Sequence, residues 1–318
     1  MKQYSKILMQ PRWLAVIAVA LFLLVFPFGV TGYMLRFLTF VFMWVILAGS
    51  INMVTGYTGY LDFGHIVFFG IGAYVTGVLM VNFALPFFVS MFAGCLVALA
   101  VGLGVGVPSM RLRGAYFAIA MLAFAEAVKQ IVLEAKSVTR GGLGLSLPVY
   151  ADYYFFYYVM CLAVASTVVV TYWIERSEFG YALRAIRGSE VAAGVSGVNT
   201  LKYKLAAFGL SAFFAGMAGG IYAYWMTFIY PSDVFNIAMT VQMVVMMFLG
   251  GSGTLVGPII GAFILTTISE ILWARFIYLY MIILGIVVMV IVLVMPHGIV
   301  GLLKRVRGLK WLSSKPKK

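Results

Sequence analysis

The chain has 318 residues, 64% of them hydrophobic and 10% charged, with a formal net charge of +13. A soluble domain of this length buries about 70–75% of its surface and still needs a polar exterior. The mean hydropathy of +1.09 excludes that exterior, so the chain is read as an integral membrane protein.

A helix crosses about 30 Å of hydrocarbon in roughly 20 residues. On that length the chain predicts ten spans, at 13–30, 34–54, 65–83, 86–107, 114–133, 154–174, 204–226, 236–250, 257–274 and 276–295. The first follows a basic start and lacks a small-x-small cleavage site, so it is read as a retained helix. The glycine-rich stretches 56–64 and 250–257 read as broken or re-entrant segments. Cys95 and Cys161 lie inside apolar spans without metal-ligand spacing and are expected to pack.

The charges orient the map. With the N-terminus in the cytoplasm, Arg36, Lys136, Arg140 and Arg275 fall outside, and Lys129 falls within the fifth span. Every other basic residue falls inside, which is the bias that sets membrane orientation. Both termini are therefore expected in the cytoplasm. The basic tail 304–318 reads as a segment beside an anionic leaflet, and no nucleic-acid partner is expected.

Charged residues within spans are costly. Glu126 has Lys129 three residues on, and Asp62 has His65 at the same spacing, so each pair shares a helix face. Glu270 lies near the outer end of the ninth span. Each is either pathway-lining or a near-interface group with a satisfied partner. Gly253, Gly257 and Gly261 recur every fourth residue and predict a helix ridge for close packing, with Pro258 marking a helix start or kink.

The longest cytoplasmic loop, 175–204, interleaves Arg184, Arg187, Glu190, Lys202 and Lys204 with small apolar residues near helical spacing. Gly194, Gly197 and Asn199 then break the run. One or two short amphipathic helices at the membrane surface are predicted, either passive or docking a cytoplasmic partner. The chain has no phosphate loop: Gly250 to Thr254 resembles one but lacks the lysine. H-E-x-x-H, C-x-x-C and G-x-S-x-G are also missing, and no Ser/His or metal set can be assembled. The chain is expected to move or hold something rather than make or break bonds.

Six blocks in order then resemble the LivM-type permease subunits of ATP-binding-cassette importers for branched-chain amino acids. They are Gly56 to His65 continuing to Tyr74, Arg113 to Glu126, Thr139 to Gly144, Phe179 to Gly197, Gly250 to Ala262, and Pro296 to Leu302. The chain departs from the family pattern at Asp62, Met121 and Leu143, where serine, threonine and a polar residue are usual. It keeps only part of the importer loop E-A-A-x3-G, as Glu190, Ala192, Ala193 and Gly197.

The resemblance implies an all-α, polytopic fold of about ten transmembrane helices in two inverted halves. Residues 1–303 would form the permease domain, with the coupling segment about 175–204. It also implies a paralogous LivH-type permease, two cytoplasmic ATPase subunits and an extracytoplasmic substrate-binding protein as partners, besides membrane lipid. ATP would be used by the partners, with no cofactor or metal on this chain. Arg184, Arg187, Glu190, Ala192, Ala193 and Gly197 would couple to the ATPases. Asp62, His65, Tyr116, Met121 and Glu126 are the candidate pathway-lining residues. A urea or short-amide importer of the same family is the near alternative, and a self-contained carrier or channel the distant one.

Overall fold

A computed structural model describes residues 22–275 together with 282, 285, 286, 289 and 298–301. The chain folds as an all-helical bundle. Its spans are α1 (Gly32–Ile51), α2 (Ile66–Asn82), α3 (Phe87–Ser109), α4 (Ala115–Glu134) and α5 (Tyr153–Arg176). Two short helices follow, α6 (Glu178–Gly188) and α7 (Glu190–Val195). Then come α8 (Thr200–Met226), α9 (Ile237–Gly250) and α10 (Val256–Arg275). Half of the predicted span 13–30, most of 276–295 and all of the basic tail lie outside the described residues.

The observed boundaries follow from local chemistry. Asp152, Ser177, Ser189, Asn199 and Asn236 each accept a backbone N–H at the start of the helix they precede. Such caps replace a hydrogen bond that the first turn cannot make for itself. The Asn199 cap starts α8 four residues before the predicted 204, so Lys202 and Lys204 lie on that helix rather than in a loop. α1 ends in a π turn, Asn52–Gly56, which swings Asn52 out of the α-helical register.

The helices are not equivalent. In the most apolar stretch of each, 83% of α1 with its π turn and 72% of α8 are buried, against 17% of α4. α8 is the central post, packed against α1, α2 and α3, while α5 and α10 lean on α1 and α9 pairs with α10. Glycine makes this closeness feasible. A Cβ on Gly219 would strike the Phe69 carbonyl, and one on Gly72 the Gly216 carbonyl. In lipid, where apolar burial between helices gains little, close backbone approach is a main source of packing energy.

The glycine ridge needs correction. Gly257 and Gly261 do lie on α10 against the backbone of Gly251 and Met246. Gly253 does not. It precedes the helix at φ +72°, a conformation that favours glycine, and faces Arg187 and the Gly56 carbonyl. At the opposite end of the bundle a two-residue antiparallel ribbon, β1 (Leu145–Ser146) with β2 (Phe228–Ile229), ties two loops together.

Candidate functional site

The first, fourth, fifth and sixth sequence blocks meet at one end of the bundle. Asn52, fully buried in the π turn, donates its amide to the Thr254 carbonyl at 3.1 Å and accepts the Gly253 N–H at 2.8 Å. Arg187, near the end of α6, donates to the Gly56 carbonyl and to the Ser252 hydroxyl, the latter at 3.1 Å. Gly298 rests on the backbone of Gly251 and Phe248. Loops far apart in sequence are thus stitched together by one amide and one guanidinium.

A second stitch holds α7. The Lys204 ammonium donates to Glu190 at 2.7 Å, to the Met110 carbonyl at 2.8 Å and to the Tyr60 hydroxyl at 3.1 Å, and lies 4.4 Å from the Tyr60 ring centre. Tyr60 in turn donates to Glu190. Burial opposes ionisation of Glu190, but the hydrogen bonds from Lys204 and Tyr60 outweigh it and hold the carboxyl below its ordinary value. Burial first, then the bond to Glu190, pushes the Tyr60 phenol up. Arg184 donates to the Glu175 carbonyl at 2.7 Å and covers Tyr181. The charged groups expected to face an ATPase are therefore occupied within the chain. Lys204, Tyr60, Asn52 and Ser252 complete the junction. Sequence reasoning missed their role, because only the fold brings Ser252 to Arg187, 65 positions away, Lys204 to Tyr60, 144 away, and Asn52 to Thr254, 202 away.

Besides the exposed Glu178 and Arg187, α6 and α7 leave an apolar patch uncovered. Ala182, Leu183, Ile186 and Ala193 face the bundle, whereas Tyr181 is 64%, Val191 62% and Val195 87% exposed. Ala192 and Gly197 are exposed beside them, Gly197 at φ +87° closing the segment.

Asp62 and His65 pair at 3.1 Å with no exposure on either side chain. His65 Nε2 lies 2.8 Å from Ser50 Oγ, and Ser211 donates to the Ser50 carbonyl at 2.6 Å. Asp62 also accepts the Gly64 N–H at 3.0 Å. A Ser–His–Asp line that the sequence did not suggest is therefore present. A nucleophile needs access to substrate, whereas Ser50, His65 and Asp62 are all fully buried, and Ser50 donates to its own helix at Leu47. The line is a strut between α1, α2 and α8. Met121 is likewise fully buried, packed by Gly64.

Glu126 and Tyr116 point the other way. Tyr116 is 76% exposed. Glu126 accepts from Lys129 at 3.1 Å and from Gln130 at 3.1 Å, with side chains 44% and 25% exposed for Glu126 and Lys129. A charge deep in a span costs about 2.5–3.5 kcal/mol on insertion scales. Glu270, nearer a helix end, is answered by the Tyr33 hydroxyl at 2.6 Å. Among the described residues no group of three or more His, Cys, Asp or Glu gathers to hold a metal.

This arrangement — a bundle of membrane-length helices with one laced loop junction — accompanies a direct sequence relationship. The family described as branched-chain amino acid transport system / permease component matches residues 33–293. The chain belongs to that family. The permease is 30% identical over 317 residues to the high-affinity branched-chain amino acid transport system permease protein LivM of Salmonella typhimurium, covering 90% of this chain and 73% of that one. Its Escherichia coli counterpart is 29% identical, over 90% of this chain and 74% of that one. A probable LivM of Methanocaldococcus jannaschii is 24% identical over 69% of this chain and 75% of its own. No solved structure matches the permease. It is a multi-pass protein of the cell membrane and a transport subunit.

Proposed function

We propose that the permease forms one half of a translocation pore for branched-chain amino acids, driven by two separate ATPase subunits that dock on α6 and α7. The observation that carries this reading is the two-faced coupling segment. Arg187 and Glu190 bond inward, to the Gly56 and Ser252 loops and to α8, while Tyr181, Val191 and Val195 remain uncovered. A push on that apolar face passes directly to the π turn of α1, to the loop before α10 and to the central helix α8. The cargo follows from the names of the relatives. The basic bias of the loops supports a cytoplasmic position for this junction; on this reading a binding protein delivers at the ribbon end and a paralogous permease completes the pore. An arrangement of two inverted halves is supported by α1 and α8. Each is the second span of its half in the predicted order, and they are the two most buried of the seven long helices among the described residues.

The test is the importer reconstituted with its partner subunits in proteoliposomes. ATP-driven uptake of leucine, unaffected by competing urea or acetamide, is expected. Val195→Asp, at a side chain 87% exposed, is expected to lower uptake by about tenfold through loss of docking. Uptake by the permease alone, without ATP, would overturn the reading.

A further inference from the structure

We propose that the uncovered face of α4 lines the substrate path, and that Glu126, Lys129 and Gln130 form a polar station there for the zwitterionic head of an α-amino acid. The proposal rests on the import reading above and names its site.

α4 packs inward with Phe117, Met121 and Ala125, one turn apart, and turns Tyr116, Ile119, Ala123, Ala127 and Gln130 outward. It is the least buried of the long spans. Glu126 sits about 12 Å from the outer end of this helix at Glu134, too deep for its short side chain to reach the headgroups. Lys129 is long enough to snorkel outward, as lysines in lipid do. It does the reverse. Its ammonium reaches one turn deeper and contacts both Glu126 oxygens, at 3.1 and 3.3 Å. Gln130 donates to the same carboxylate at 3.1 Å. Ionisable groups at mid-membrane depth face a bundle interior or a water-filled cavity rather than acyl chains, and this pair stands on the uncovered side of α4.

At the junction Lys204 and Glu190 are covered by protein and Arg187 is bonded to the Gly56 and Ser252 loops, and Glu270 is held by Tyr33. The α4 set alone, among the described mid-span charges, stands beside small uncovered residues, Ala123 and Ala127. Its chemistry suits a zwitterion. The carboxylate of Glu126 accepts a substrate ammonium, the Lys129 ammonium and the Gln130 amide donate to a substrate carboxylate, and Ile119 and Leu122 offer apolar contact to a branched side chain. The Glu126–Lys129 pair and the zwitterion exchange partners with no net change in charge. The station therefore holds the cargo weakly enough to release it.

The experiment uses the reconstituted importer with Cys95→Ala and Cys161→Ala, carrying Ala127→Cys. A charged, membrane-impermeant methanethiosulfonate is expected to label Ala127→Cys, and saturating leucine during turnover to slow that labelling. Labelling only by a lipid-soluble maleimide would place the face in lipid and overturn the proposal, as would no labelling by either reagent, which would bury it in a partner. Glu126→Gln and Lys129→Met are each expected to lower leucine uptake about tenfold with thermal unfolding unchanged. The swap Glu126→Lys with Lys129→Glu restores the ion pair but inverts its order. Uptake is expected to stay low, and full rescue would make the pair structural and overturn the station. A wild-type importer that carries urea but not leucine would refute the import reading and the zwitterion with it. Leucine uptake without labelling would refute the station alone.

Discussion

Two sets of opposite charges occupy this bundle, Glu190 with Lys204 at the loop junction and Glu126 with Lys129 on α4. Their ion-pair distances are similar, 2.7 and 3.1 Å. Their surroundings differ. Lys204 is 3% exposed and makes three hydrogen bonds to three different segments, whereas the α4 pair bonds only along its own helix. A charge enclosed by several segments fixes geometry, since removing it strands its partners. A charge answered only by its own helix neighbours holds nothing else in place and stays available to a ligand. The same residue types therefore serve as a fastener in one region and as a contact surface in the other.

The largest break in this comparison is expected from Lys204→Met. It leaves Glu190 with the Tyr60 hydroxyl but no counter-charge and the Met110 carbonyl without its donor, and loss of one partner of an enclosed pair costs about 3–5 kcal/mol. A fall of several degrees in the detergent melting temperature, with release of α6–α7 to protease, is the expected readout. Gly219→Leu should act on the same scale, about 3 kcal/mol or more, because the Phe69 backbone cannot yield. Loss of folded protein on size exclusion would show it.

Arg187→Ala removes the link to Gly56 and Ser252 but leaves the segment capped by Ser177 and Ser189. Roughly 1–2 kcal/mol of stability should be lost, while uptake per ATP hydrolysed falls more steeply. A proportional loss of uptake and hydrolysis would make Arg187 a mere brace.

Acid sharpens the contrast further. The folded-state value of Glu190 lies below its ordinary 4.5. Its contribution is then complete above that ordinary value and is lost as pH falls through the lowered one. Protease sensitivity of α6–α7 should rise only below about pH 4.5, and Glu190→Gln should remove that step. The smallest effect on stability is expected at Glu126→Ala, within about 0.5 kcal/mol by thermal unfolding, since its face is open.

Much of the fold was legible in the chain. Apolar runs of membrane length, the basic bias of alternate loops and the helical spacing of 182–195 are local properties, and the spans from 34 to 274 appear within a few residues of their predicted bounds. Local pairs were legible for the same reason: Glu126 and Lys129 are one helical turn apart, and Asp62 and His65, three residues apart, also pair, although in the turn before α2 rather than on a helix face. Spacing could not say which way each pair faced. Asp62, His65 and Met121 turned out to be sealed in the core, and Glu126 and Tyr116 uncovered. Gly253 reads as a helix-ridge glycine by its interval, yet the helix begins only at Val256.

By itself, then, the order of residues determined the solvent, the spans, the alternation of loops and the family. Periodicity and hydropathy act over a single turn or a single helix, so they can be read without knowing the fold. Only the tertiary structure decided that Arg187 grips Gly56 and Ser252, that Lys204 is buried beneath α7, and that α4 is left open. Those outcomes depend on which helix faces lie against which, a property of contacts between distant segments that no local pattern encodes.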